Sequence, residues 1–120
     1  MNLRPHARLN LASFRCAPRD LATFRVALLE KHPHSSQVFV PMNAGRYLVV
    51  VAHGGDAPDL STLRVFEALG TQGIAYAPGV WHHPMVALDA PTDFTCLVWE
   101  DGTAEDCVEF PLAAPFALSG

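Results

Sequence analysis

The strongest constraint in this sequence is its punctuation. Short apolar or alternating runs recur about every ten residues, and each is closed by proline, glycine or aspartate. Leu9 to Phe14 alternates and then meets Pro18, while Phe24 to Leu29 is aliphatic and stops at His32-Pro33. Gln37 to Met42 carries Val38 and Val40 on one face and Phe39 on the other, and Tyr47 to His53 ends at Gly54-Gly55. Ile74 to Ala77, Met85 to Leu88 and Phe94 to Trp99 follow, with Val108 to Phe110 as an edge strand before Pro111. Evenly spaced short strands predict a mainly β sandwich or barrel. One segment reads otherwise. Asp56 to Gly70 opens with acids and Pro58, repeats Leu60, Leu63, Phe66 and Leu69 every third residue, and closes with glycine. These signals predict one short helix over Pro58 to Leu69, packed over one end of the sheets.

A chain of 120 residues has room for one domain, 1–120, around one core. Half the residues are apolar and 17% are charged, which excludes a disordered chain. The longest apolar run, Tyr47 to Ala52, is far short of the ~20 residues of a membrane-spanning helix. Met1 to His6 lacks the apolar stretch of a signal peptide. A net charge of −4 argues against nucleic acid, which basic patches bind. Cys16, Cys96 and Cys107 cannot all pair and suit a reducing cytoplasm. The charge is lopsided: eight bases against four acids through Arg64 make +4, and eight acids with no base thereafter make −8. Two such halves interleave in the fold or meet across a homodimer, where the apolar Leu9 to Phe14 strand would also be covered; a solvated acidic face is the competing reading.

Two clusters could carry chemistry. In Glu30-Lys31-His32-Pro33-His34-Ser35-Ser36-Gln37, strand periodicity puts Glu30 and His32 on one face, and the next strand returns with Gln37. Carboxylate, imidazole and amide together could hold a divalent cation; the same residues also suit a hairpin corner with a capped histidine. In Pro78-Gly79-Val80-Trp81-His82-His83-Pro84 a turn leads into a strand, so His82 points to one face and Trp81 with His83 to the other. Tyr76 reads as core. Cys96 reads as an inert core thiol, and Cys107, near acids, as a thiol of raised pKa and no nucleophile.

These residues resemble a known pattern. The pairing of Glu30-x-His32 and Gln37 with a later Pro-Gly-x-x-His82 is similar to the cupin motif, with Glu30 and Gln37 in place of the usual His and Glu. More closely, Glu30-x-His32-Pro33 with Ser35-Ser36-Gln37-x-Phe39-x-Pro41, Pro58-Asp59-Leu60-Ser61-Thr62-Leu63-Arg64-x-Phe66, and Gln72-Gly73-x-x-Tyr76 followed by Trp81-His82-His83-Pro84 resemble three blocks of the ureidoglycolate lyase family. Asp93-Phe94 and Asp106-Cys107 match later positions. Trp99-Glu100 departs from an acidic-basic pair, and the match reads as a short form that starts some tens of residues into the usual family chain.

The resemblance implies a cupin-type β-barrel or jelly roll, commonly a homodimer, that cleaves ureidoglycolate to glyoxylate and urea in allantoin breakdown. It implies Glu30, His32, Gln37 and His82 as ligands of a divalent metal ion (nickel, zinc, manganese or iron); if no metal is used, Glu30 or His82 becomes the general base. Ser35, Ser36, Arg46 and Arg64 are the candidates to hold the substrate carboxylate, with Trp81 at the mouth as packing residue or stacker. Arg64 also reads as a surface salt-bridge partner. Lyase and hydrolase chemistry both fit, as do a non-catalytic carboxylate-binding cupin and a relative acting on another hydroxy- or keto-acid. His82 is expected at a partly solvated mouth, where its loss leaves no large void.

Overall fold

The computed structural model describes residues 1–43 and 45–118. Ten strands are formed among them: β1 (Arg8–Cys16), β2 (Arg25–Lys31), β3 (Gln37–Pro41), β4 (Tyr47–Ala52), β5 (Arg64–Ala68), β6 (Ile74–Tyr76), β7 (Trp81–His82), β8 (Val86–Ala87), β9 (Thr92–Glu100) and β10 (Val108–Ala117). They make two antiparallel sheets, β1-β9-β3-β6 and β10-β2-β7-β4-β5, with β8 also on β4. The fold is a cupin-like β-sandwich, or jelly roll. It is not a closed barrel: among the described residues no ladder joins the sheets, and at the β5–β6 flank Phe66 stays 56% exposed.

Side-chain alternation builds two cores. Tyr47 and Val49 of β4 enter the space between the sheets with Phe39, Tyr76, Phe94, Cys96 and Val98. Leu48, Val50 and Ala52 face the other way, into a second core with Val26, Leu29, Trp81 and Phe110. A strand buried on both faces must be apolar throughout, which is why Tyr47 to Ala52 is the longest apolar run. Full burial of a side chain such as Val50 is worth roughly 1.5–3 kcal/mol.

The expected helix over Pro58 to Leu69 is not there. Asp59 caps a single 3₁₀ turn, Leu60–Thr62, and the chain then runs straight into β5. The reason is non-local. Arg64 to Ala68 pair in register with Val51 to Tyr47, and this five-residue ladder outweighs the local helix signal; of the stripe, Leu63 packs against the second core while Leu60, Phe66 and Leu69 are exposed. Arg64 therefore sits on an edge strand.

The lopsided charge interleaves within one chain. Arg4 pairs with Asp101 and Asp106, Arg15 with Asp93, and Arg46 with Glu67 and Asp89, so early bases meet late acids inside the sandwich topology.

Candidate functional site

The site begins as a row of residues across one sheet. Glu109, Glu30, His82, Val51 and Arg64 lie opposite one another on β10, β2, β7, β4 and β5, and direct cross-strand partners share a face. That face looks into the sandwich. His32, one residue past β2, joins Glu30 there, and the other sheet supplies Gln37 at the start of β3. The Pro78-Gly79 turn brings the blocks together: Gly79, at φ 81°, donates its amide to the His32 carbonyl at 2.9 Å, and a left-handed turn residue is readily glycine.

One donor atom from each of Glu30, His32 and His82 lies within 4.8 Å of the others. His82 Nε2 is 3.5 Å from Glu30 Oε1, a spacing compatible with two donors each about 2.1 Å from one cation. Both rings donate Nδ1–H to backbone carbonyls, His32 to Asp106 at 2.9 Å and His82 to Val80 at 3.0 Å. Their Nε2 atoms are buried without an ordinary hydrogen bond, His82 Nε2 meeting only Glu30 Oε1 at 3.5 Å, and the buried Gln37 Oε1 belongs to a side chain lying against His32. An unmet buried polar atom costs about 1–3 kcal/mol, so such atoms gathered in one place mark a spot built for something else. Two imidazole nitrogens, an amide oxygen and a carboxylate suit a borderline divalent metal, and the residues present could hold one.

Electrostatics favour the charged carboxylate at Glu30 and the neutral ring at His32. Burial works against the Glu30 carboxylate, but the His82 ring at 3.5 Å, the nearby His32 ring and the Cys107 thiol outweigh it and hold its pKa below the usual range. Burial, with the nearby His82, pushes the His32 pKa down although the Asp106 carbonyl opposes it. Desolvation and Glu30 push the Cys107 thiol up to about 12. It stays protonated and donates S–H to Glu30 Oε2 at 3.7 Å.

Two neighbours were not legible as parts of the site. Tyr76, expected as core, stacks on His82 with ring centroids 4.1 Å apart and planes 9° apart, and its buried hydroxyl has no partner. Cys107 touches Glu30 through a contact that spans 77 residues of sequence. The "Gln72-Gly73-x-x-Tyr76" and "Asp106-Cys107" matches were the signals that pointed at both.

The other expected groups separate. His82 is 1% exposed rather than partly solvated, because Tyr76 covers one ring face and His32 lies over the other. Trp81 lies on the opposite face of the sheet, fully buried in the second core, with its indole N–H on the Gly55 carbonyl at 3.1 Å. That loop needs Gly54, where a Cβ would sit 2.2 Å from the Ala57 oxygen. A residue so placed cannot stack on a substrate beside His82. His83 shares that face and meets the Phe24 ring edge. The Ser35 hydroxyl is spent on the Ser36 carbonyl and the Trp99 amide, and the Ser36 hydroxyl accepts from the chain's amino terminus. Arg46, just ahead of β4 and five residues before Val51, is held by Asp89 and Glu67 and lies roughly 17 Å from His82. Arg64, by contrast, has no carboxylate partner among the described residues. It lines a cleft of about 220 Å³ with Val51 and Val80, two strands, or roughly 10 Å, from His82. A concavity of about 690 Å³ over Arg8, Leu9 and Asp101 is lined by none of the four donors.

The chain matches the family model described as ureidoglycolate lyase over residues 1–119. It is similar to the ureidoglycolate lyase of Burkholderia cepacia, 47% identical over 107 residues that cover 88% of this chain and 58% of that protein. Ureidoglycolate lyases of Salmonella newport and Salmonella typhimurium are each 49% identical over 79 residues, covering 66% of this chain and 48% of theirs. The chain spans about half the length of the curated relatives it matches.

Proposed function

This chain belongs to the ureidoglycolate lyase family, and from that premise we propose that it cleaves ureidoglycolate to glyoxylate and urea in allantoin breakdown. The observation that carries the reading is the convergence of Glu30, His32 and His82 beside Gln37, with buried donor atoms that lack ordinary hydrogen bonds. A divalent metal ion (nickel, zinc, manganese or iron) held by Glu30, His32, Gln37 and His82 would supply Lewis acidity that eases deprotonation of the substrate hydroxyl.

The chain's own groups do the rest. Ureidoglycolate carries a hydroxyl, a carboxylate and a urea nitrogen on one carbon. Arg64, free of any described acid, takes the carboxylate, a pairing favoured by the planar guanidinium. Glu30, held ionised by His82, His32 and Cys107, accepts the hydroxyl proton. The oxygen's electrons form the aldehyde of glyoxylate as the carbon–nitrogen bond breaks, and its electron pair stays on the urea nitrogen. Glu30 returns the proton to that nitrogen, so atoms and charge balance without a co-reactant. His82, clamped by Val80 and Tyr76, keeps Glu30 in place.

The protein acts as a cytoplasmic homodimer in this reading. Its three cysteines are all unpaired, no described helix is long and apolar enough to cross a membrane, and Leu9 and Leu11 stand exposed on edge strand β1. The test is turnover of ureidoglycolate by the purified protein with and without added Mn²⁺, Ni²⁺ or Zn²⁺, assaying glyoxylate with urea and ammonia separately. Glyoxylate with stoichiometric urea supports the lyase; ammonia in place of urea makes it a hydrolase. Metal binding without turnover refutes the activity in favour of a carboxylate-binding or differently specific cupin.

A further inference from the structure

We propose that Arg4 and Asp106 form a latch that sets the tautomer of His32, making both positioning residues for the site. The inference rests on the metal reading for its consequence, though not for its geometry.

A neutral imidazole carries one proton, and the partner of each nitrogen decides where it sits. His32 Nδ1 lies 2.9 Å from the backbone carbonyl of Asp106. A carbonyl only accepts, so the proton is on Nδ1 and the lone pair is on the buried Nε2 that faces Glu30 and His82. The acceptor belongs to the Ala104–Asp106 turn, and the Asp106 side chain holds that loop in shape. Its Oδ1 accepts the Asp101 amide at 2.9 Å and its Oδ2 the Gly102 amide at 2.8 Å. Arg4 closes the arrangement. Its Nη2 donates to Asp106 Oδ1 at 2.8 Å and to the Trp99 carbonyl at 3.3 Å, while Nη1 faces Asp101 at 2.9 Å. The Arg4 side chain is only 15% exposed. Next to it, the Leu3 amide donates to the His34 carbonyl at 2.9 Å. Leu3 and Arg4 thus grip the turn that follows His32 and the loop that carries its acceptor. His82 is built differently: its acceptor, the Val80 carbonyl, is two residues away on its own strand segment and owes nothing to Arg4. Outer groups that orient a ligating histidine commonly change metal affinity about 10–100-fold when lost.

The two histidines make an internal comparison. Ring-nitrogen NMR of the metal-free protein at alkaline pH should show both His32 and His82 with the proton on Nδ1. In Arg4→Met, which keeps the apolar stem, His32 should lose its single tautomer while His82 keeps it. Arg4→Lys should restore His32 in part. Titrated with Zn²⁺, Arg4→Met should bind about 10–100-fold more weakly than wild type. Should Arg4→Met fail to fold, Asp106→Asn, which removes the charge that holds Arg4, is read in the same way. A folded variant in which His32 keeps its Nδ1 proton, or in which both histidines change together, overturns the latch. Wild-type protein that ignores Zn²⁺ while His32 still answers to Arg4 sinks the metal reading and leaves the latch standing.

Discussion

Replacing His82 separates what the ring does chemically from what it does as filling. The ring is 1% exposed and lies between Tyr76, 4.1 Å away, and His32, 5.4 Å away. In His82→Ala that space empties. Truncating a buried aromatic costs about 3–5 kcal/mol, and the Val80 carbonyl also loses its donor. Against this, the imidazole is smaller than a phenyl ring, and deleting its Nε2, which lacks an ordinary hydrogen bond, relieves about 1–3 kcal/mol. The balance is about 2 kcal/mol. At roughly 3–5 °C per kcal/mol for a domain of this size, the melting temperature should fall by about 6–10 °C. His82→Phe fills the space with a slightly larger ring, keeps the stack on Tyr76 and loses the nitrogens, so without metal it should melt closer to wild type than His82→Ala does. Both variants should lose turnover by about 10²–10⁴-fold and lose any rise in melting temperature on adding Zn²⁺ or Mn²⁺. His83→Ala, on the other face, should keep turnover and cost little stability. The assays are thermal melts with and without metal and initial rates of glyoxylate release. His82→Ala with an unchanged melting temperature would refute the buried stack. A metal-induced rise surviving in His82→Phe would refute its role as a ligand.

Glu30→Gln, nearly isosteric, should fold normally and lose turnover by about 10²–10⁴-fold in steady-state assays; wild-type rates would remove Glu30 as the base. Arg64→Met should raise KM with little change in kcat, whereas Arg46→Met should leave both near wild type. The reverse pattern would reassign the carboxylate anchor. Acid should destabilise the fold in two stages. His32 and Glu30 both have folded pKa values below their ordinary 6.5 and 4.5, so the unfolded chain binds their protons first. Their contribution is whole above pH 6.5, declines as pH falls below it toward the lowered His32 value, and declines again below 4.5. Urea midpoints that rise on acidification between those values would contradict this. Leu11→Glu, on the exposed face of β1, should convert a dimer to monomer in light scattering, and a wild type that is already monomeric removes the homodimer.

How much of this was legible before folding follows from what a sequence encodes locally. Turn residues mark where strands stop, and the two-residue period tells which side chains share a face. That was enough to put Glu30 with His32 and to oppose His82 to Trp81 and His83. The family blocks named the donor set and the substrate class. Period and punctuation do not say what stands across from a face, because register and sheet order are settled by contacts far apart in the chain. The three-residue stripe from Leu60 to Leu69 fits a helix in isolation; the ladder to β4 made it a strand and moved Arg64 into the row that holds His82. Whether the sheets close, which arginines meet acids, and how deeply His82 is covered also depended on packing between distant segments. The Tyr76 ring on His82, the Cys107 thiol on Glu30 and the Arg4–Asp106 pair, 102 residues apart, exist only once two sheets and their loops come together. Local chemistry chose the candidate donor atoms, and tertiary packing chose which of them are buried and aimed at one another.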